Sequence, residues 1–263
     1  MTDHLPEPIA DAVSRADKSW QLILREGLAA LSRVDPAYLP TLAGEAYFPT
    51  EGRLFAAFRQ PLQSVRYVLM GEGPYPREKS ATGVCFMDGA VGSLWSEAGL
   101  SKQVNRATSL RNFMKMLLVA DGRLSLGHTT ASAMVQVSEN ARAPGSPLIQ
   151  TLPELQDNLI QQGFLLLNAA LVFRPHVPPV KEAKTWQPFQ KTVLAALAAH
   201  AIERGEVPAT LVLWGKIAEQ LKHLSLDSRF PQLVAEHPYN LTFIGNSAMQ
   251  ALFGPMHLLQ RAR

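Results

Sequence analysis

Four short apolar runs, at residues 65–70, 164–167, 211–214 and 233–235, are each bounded by polar or turn residues. That is the pattern of strands buried in a sheet. Around them the spacing of apolar positions changes to three and four. Trp20, Ile23, Leu24, Leu28 and Leu31 form one such stripe, which predicts an amphipathic helix ending before Asp35-Pro36. Similar stripes over 110–119, 187–202, 216–224 and 247–252 predict further helices. Strands alternating with helices imply an α/β fold around a mostly parallel sheet. Ligands of such sheets bind beyond the carboxyl ends of the strands. Chemistry is therefore sought where the runs stop: at Gly71-Glu72-Gly73-Pro74-Tyr75, at Asn168, at Gly215 and at Glu236-His237-Pro238. The stretch 121–146, rich in Gly, Ser, Thr, Ala and Pro and with little periodicity, reads as a surface insertion.

Composition narrows this picture. A chain of 263 residues can build a single large domain spanning 1–263. Hydrophobic residues at 47% and charged residues at 18% place it among folded globular proteins and away from disordered ones. A net charge of +3 with a pI near 9.1 is mildly basic and does not by itself separate a nucleic-acid binder from any other protein. The single cysteine, Cys85, excludes an internal disulfide and any four-thiolate zinc or iron–sulfur site. No metal or other cofactor is expected, and a reducing, cytoplasmic setting is. The first twenty residues carry Asp3, Glu7, Asp11 and Asp17 without a long apolar run, unlike a secretory or transit segment. No stretch reaches the length that spans a membrane, so a soluble protein with no membrane partner is expected.

The ends of the runs carry a family resemblance. Gly71-Glu72-Gly73-Pro74-Tyr75 resembles the Gly-Gln-Asp-Pro-Tyr turn of the first family of uracil-DNA glycosylases. Gly83-Val84-Cys85-Phe86 resembles the Gly-Leu-Cys-Phe that follows it. Further along, Ser109-Leu110-Arg111-Asn112-Phe113 is similar to the family's Pro-Ser-Leu loop and helix start. The segment from Gly163 to Asn168 is similar to its Gly-Val-Leu-Leu-Leu-Asn strand. Residues 171–189, ending in Trp186 and Phe189, then Leu213-Trp214-Gly215 and His237-Pro238, complete the series in the family's order. The resemblance implies a three-layer α/β sandwich on a central four-stranded parallel sheet. It further implies a monomeric base-excision repair enzyme that hydrolyses the N-glycosidic bond of uracil, or a related damaged pyrimidine, in DNA.

An enzyme that cuts the bond between base and sugar cannot reach it in a stacked duplex and must flip the nucleotide into a pocket. By resemblance, Phe86 is the stacking face of that pocket and Asn168 the amide that reads the pyrimidine edge. Tyr75 is the group that would clash with a thymine methyl, and Gly71 and Gly73 belong to the pocket backbone. His237 is the donor for charge developing on the leaving base. Pro74, Ser109, His237 and Pro238 face DNA, and Leu241 matches the apolar wedge that fills the vacated space. Taken singly these residues have plainer readings. Phe86 and Leu241 could be core, Asn168 a strand cap, Tyr75 a turn residue and His237 a structural hydrogen-bonder. Cys85 reads as packing, since no partner makes it nucleophilic. Lys102, Arg106, Arg111 and Lys115 read either as phosphate contacts or as a solvated helix face.

The chain also departs from the pattern. The family's aspartate, which orients water, is replaced by Gly73. Related glycosylase branches carry Gly-Glu-Ala-Pro in this turn, which makes Glu72 a substitute acid, with Asp88 and Glu78 as further candidates. Tyr239-Asn240 replace the Ser-Pro after the family's His-Pro, and Val180-Lys181 replace a Ser-His pair expected near the DNA backbone. Two functions follow: a weakened glycosylase, or a non-catalytic protein that binds uracil or DNA through a disabled glycosylase fold.

Overall fold

The computed structural model describes residues 5–216 and 229–261. In chain order the helices are α1 (Glu7–Ser14), α2 (Lys18–Val34), α3 (Tyr38–Gly44), α4 (Lys102–Arg106), α5 (Thr108–Ala120), α6 (Ala131–Arg142), α7 (Leu152–Gln161), α8 (Pro179–Glu203) and α9 (Ser247–Phe253). The strands are β1 (Tyr67–Gly71), β2 (Trp95–Ser96), β3 (Gly99–Leu100), β4 (Phe164–Asn168), β5 (Thr210–Trp214) and β6 (Gln232–Ala235). The four strands expected from the apolar runs form one sheet in the order β4-β1-β5-β6. β1 runs parallel to both β4 and β5, with Gly71 opposite Asn168 and Met70 opposite Leu213. The bonds Leu211 N–H to Pro231 O and Gly215 N–H to Ala235 O advance together along both chains, which is parallel pairing for β6 as well. β2 and β3 form a separate antiparallel pair.

The chain falls into two compact units. The first comprises Met1–Asp88, Gly163–Leu213 and Ile217–Gln232; the second Gly89–Gln162, Trp214–Lys216 and Leu233–Arg263. In the first, β1 and β4 are almost wholly buried, which explains their unbroken apolar sequence. Trp20, Phe55, Phe58, Trp186 and Phe189 fill the core beside them. Helix α2 starts on Asp17, whose carboxylate accepts from the Ser19 N–H, a standard N-terminal cap. It packs on α8 through Gly27, where a Cβ would come within 2.8 Å of the Phe189 ring. The segment between β4 and α8 is pinned by Arg174, which donates to Glu182 at 3.0 Å and to Glu45 at 3.0 Å. Tyr38 also donates to Glu182.

In the second unit Phe113 packs edge to face on Phe253 and Trp214 on Phe243, with Phe113 tilted against Trp214, and Thr151 and Glu154 close a reciprocal cap at the start of α7. The stretch 121–146, read as an insertion with little periodicity, contains α6. Its buried face is Met134, Val137, Ser138 and Ala141. These positions have helical spacing, but a serine and an alanine in the stripe hide it from a hydrophobicity pattern. The helix expected over 216–224 lies outside the described residues, apart from Lys216, which is in a turn.

Candidate functional site

In the first unit, the sheet itself positions several of the candidate residues. The ladder between β1 and β4 continues past the strands: the Ala169 N–H donates to Gly71 O at 2.8 Å and the Ala170 N–H to Glu72 O at 3.0 Å. The turn Gly71–Tyr75 is thereby fixed beside Asn168. From α8, the Gln190 amide donates to the carbonyls of Asn168 at 2.8 Å and Ala169 at 3.2 Å. Asn168 is 4% exposed. Its Oδ1 lies so close to Gly71 that a Cβ there would sit 2.7 Å from it and 2.8 Å from Cys85 Cβ. Only glycine allows this approach.

Phe86 comes to the same unit on a loop held at several points. The Cys85 N–H donates to Leu166 O on β4 at 3.1 Å, and the Cys85 thiol donates to Leu69 O on β1. Gly83 lies at φ +80°, where a Cβ would collide with Arg53 O at 2.1 Å. Thr82 Oγ1 donates to Met87 O at 3.0 Å, and Ala81 bridges Asp88. Between these anchors Phe86 adopts φ +67°, a left-handed backbone that costs on the order of 1–3 kcal/mol in a residue with a side chain. Cys85 is fully buried and burial pushes its thiol far above the usual range. It is packing, as the sequence implies, and is no nucleophile.

Tyr75 is half-buried, and its hydroxyl is pushed up to about 12, first by burial and then by the negative charge of Asp88, against Arg77. Asp88 is 7% exposed and lies 3.8 Å from Arg77. Pro74 is half-buried, whereas Glu72, Gly73 and Glu78 are exposed, and Glu78 accepts from Thr50 Oγ1 at 3.3 Å. Gly73 differs from Gly71: among the described residues, a Cβ there would meet only Ala170, at 3.5 Å from its Cβ and 3.7 Å from its carbonyl oxygen. Those are ordinary contacts, and a Cβ fits.

The second unit holds the other candidates, on the loop after β6. His237 is half-buried, and its Nδ1 accepts the Tyr239 N–H at 3.1 Å. A ring nitrogen that accepts carries no proton, so the neutral imidazole bears its hydrogen on Nε2, as a donor. Gly215, at φ +63°, lets His237 approach, since a Cβ there would lie 3.0 Å from His237 Cβ. The loop is held by Asn112, fully buried on α5. Its Nδ2 donates to Pro238 O at 2.7 Å, with longer contacts to Tyr239 O at 3.2 Å and Asn240 O at 3.4 Å. Pro238 is buried; Tyr239 and Leu241 are 67% and 68% exposed, so Leu241 is not a core residue.

Ser109 is half-buried in the first turn of α5. Lys102 and Arg106 are exposed. Lys115 instead donates to Thr129 O at 2.7 Å, and burial followed by the Arg111 charge lowers its pKa. Val180 and Lys181 are exposed on the first turn of α8. Two contributors escaped the sequence reading: Gln190, which ties Asn168 to α8, and Asn112, which ties the His237 loop to α5. The available signal was an amide inside an otherwise apolar helical stripe, where an unbonded polar group would be costly. Among the described residues no group of three or more His, Cys, Asp or Glu side chains could hold a metal ion. No helix among them is long and apolar enough to cross a membrane.

No family model matches the chain. It is 27% identical over 242 residues to a protein named uracil-DNA glycosylase from Mycobacterium sp. (strain KMS), covering 90% of this chain and 85% of the relative. It is 26% identical over 211 residues to the uracil-DNA glycosylase of Tropheryma whipplei (strain Twist), covering 80% and 72%. The crystal structure of wild-type UNG from Nitratifractor salsuginis is 38% identical and superposes with a TM-score of 0.84, over 98% of this chain and 100% of that one. With that identity over the full length of both chains, and with the parallel sheet ending in the turn at Gly71 and in Asn168, the chain belongs to the uracil-DNA glycosylase family.

Proposed function

We propose that the protein hydrolyses the N-glycosidic bond of uracil, or of a related pyrimidine, in DNA, and does so with a weakened water-side step. The observation that carries this reading is the seam where Gly71 faces Asn168, because the missing Cβ leaves the Asn168 amide tight against the turn. That amide donates and accepts along one edge, as discrimination of uracil from cytosine requires. Phe86 stacks on the flipped base, Tyr75 excludes a thymine methyl, and Pro74 with Gly73 shapes the turn.

When the bond between the sugar C1′ and the base nitrogen breaks, the electron pair leaves with the base and the sugar becomes cationic. His237, with Nε2–H as donor, stabilises the base anion; a positioned donor of this kind contributes roughly 3–4 kcal/mol. Water then attacks C1′ and loses a proton. Gly73 has no carboxylate to orient that water and take its proton, and the exposed Glu72 carboxylate is the substitute for both tasks. Ser109, Pro238 and Leu241 contact the DNA. The reading takes 1–263 as one domain that acts as a monomer in the cytoplasm on uracil-containing DNA.

The test is release of free uracil from single-stranded and duplex DNA by the purified protein. His237→Ala is expected to lower the rate by about 10²- to 10³-fold. Absence of release above that variant, at high enzyme concentration, sinks the proposal. Gly73 itself supports a second reading, a protein that binds uracil-containing DNA without cutting it. Uracil-dependent binding with no release would favour it.

A further inference from the structure

The loop after β6 presents an aromatic ring that the reaction does not use. Tyr239 is 67% exposed, in a turn where Asn240 N–H donates to His237 O at 2.9 Å. Its backbone is held on both sides: the N–H donates to His237 Nδ1 and the carbonyl lies within reach of the buried Asn112 amide. A large exposed aromatic on a clamped backbone loses little conformational freedom on binding, having only two side-chain torsions to fix. Every nucleobase offers a flat face for such a ring, and aromatic stacking is how proteins hold unstacked bases without reading their identity. Leu241, two residues on, is 68% exposed and gives the same loop a second apolar contact.

We infer that Tyr239 is a stacking site for a nucleobase next to the excised one, in a strand whose bases are already unstacked. The inference rests on the proposed action on DNA. The occupant is a base because the same loop carries His237, whose imidazole receives the Tyr239 N–H, and a strand whose base faces that imidazole passes the neighbouring ring.

The test measures binding of a uracil-containing single-stranded oligonucleotide, and of the same strand with abasic analogues on both sides of the uracil. Tyr239→Ala is expected to weaken binding of the first strand by roughly 5- to 150-fold and to leave the second within about twofold of the unaltered protein, because stacking needs the neighbouring base. Tyr239→Phe should bind both like the unaltered protein, and Tyr239→Trp should show indole fluorescence quenched only by the base-bearing strand. Equal losses by Tyr239→Ala on both strands, or no loss on either, would overturn the inference. Thermal melting of the Ala variant checks its fold, and a misfolded variant leaves the Trp fluorescence to decide. Uracil release by the unaltered protein is followed in parallel: its absence counts against glycosylase action, while Tyr239-dependent binding is scored separately.

Discussion

The turn after β1 and the loop after β6 are held in place by different means. The turn is an extension of the sheet, fixed by backbone bonds to Ala169 and Ala170 and by contacts that exclude any side chain at Gly71. The loop depends on side chains: the Asn112 amide spreads over three carbonyls, and an imidazole nitrogen takes one N–H. A site built into a ladder tolerates change only where space was left, as at Gly73. A loop held by side chains can be loosened without disturbing the sheet.

The largest effect is expected where the turn has room. Gly73→Asp adds a carboxylate whose Cβ meets only ordinary contacts with Ala170, and uracil release should rise by about 10²- to 10⁴-fold, the usual contribution of a positioned acid or base. An unchanged rate would place the limiting defect elsewhere, in Val180-Lys181 or Tyr239-Asn240. Gly71→Ala tests the opposite property of the same turn. Its methyl overlaps Asn168 Oδ1 and Cys85 Cβ, so stability should drop by roughly 1–3 kcal/mol in denaturant melts, and a displaced Asn168 should cost about 100-fold in kcat/KM. Full activity would show that the seam yields, against the rigidity argued for it.

Asn112→Ala sharpens the contrast from the other side. It removes the donor for Pro238 O, and about a 10-fold fall in kcat is expected with KM for a free uracil-containing dinucleotide unchanged, since misplaced donors cost rate before binding. Equal changes in both would indicate general loosening. The smallest effect is a pH dependence. The Tyr75 hydroxyl, raised to about 12 from the ordinary 10, keeps its proton in the fold after the unfolded chain has lost it. Its contribution to stability is therefore complete below pH 10 and is lost between about pH 10 and 12. Tyr47, Tyr38 and Cys85, also raised by burial, act in the same direction. Tyr75→Phe should show a shallower loss of denaturation midpoint between pH 9 and 11.5, and an identical slope would remove Tyr75 from the account.

The central sheet strands were legible as short unbroken apolar runs, and the helices α2, α5 and α8 because their apolar positions repeat with the helical period. The order of the turn, Asn168 and His237 was legible as well, since each lies where an apolar run stops. Helix α6 was not, because the buried face of the helix includes Ser138 and Ala141, which weaken its apolar stripe. Tertiary structure alone decided which glycine of the turn excludes a side chain, that Phe86 takes a left-handed backbone, that His237 offers Nε2–H, and that Asn112 holds its loop. Each of these depends on a contact with a residue distant in the chain or on the hydrogen-bond partner that folding supplies. Local spacing encodes which face of an element is buried, but not which atoms it will meet.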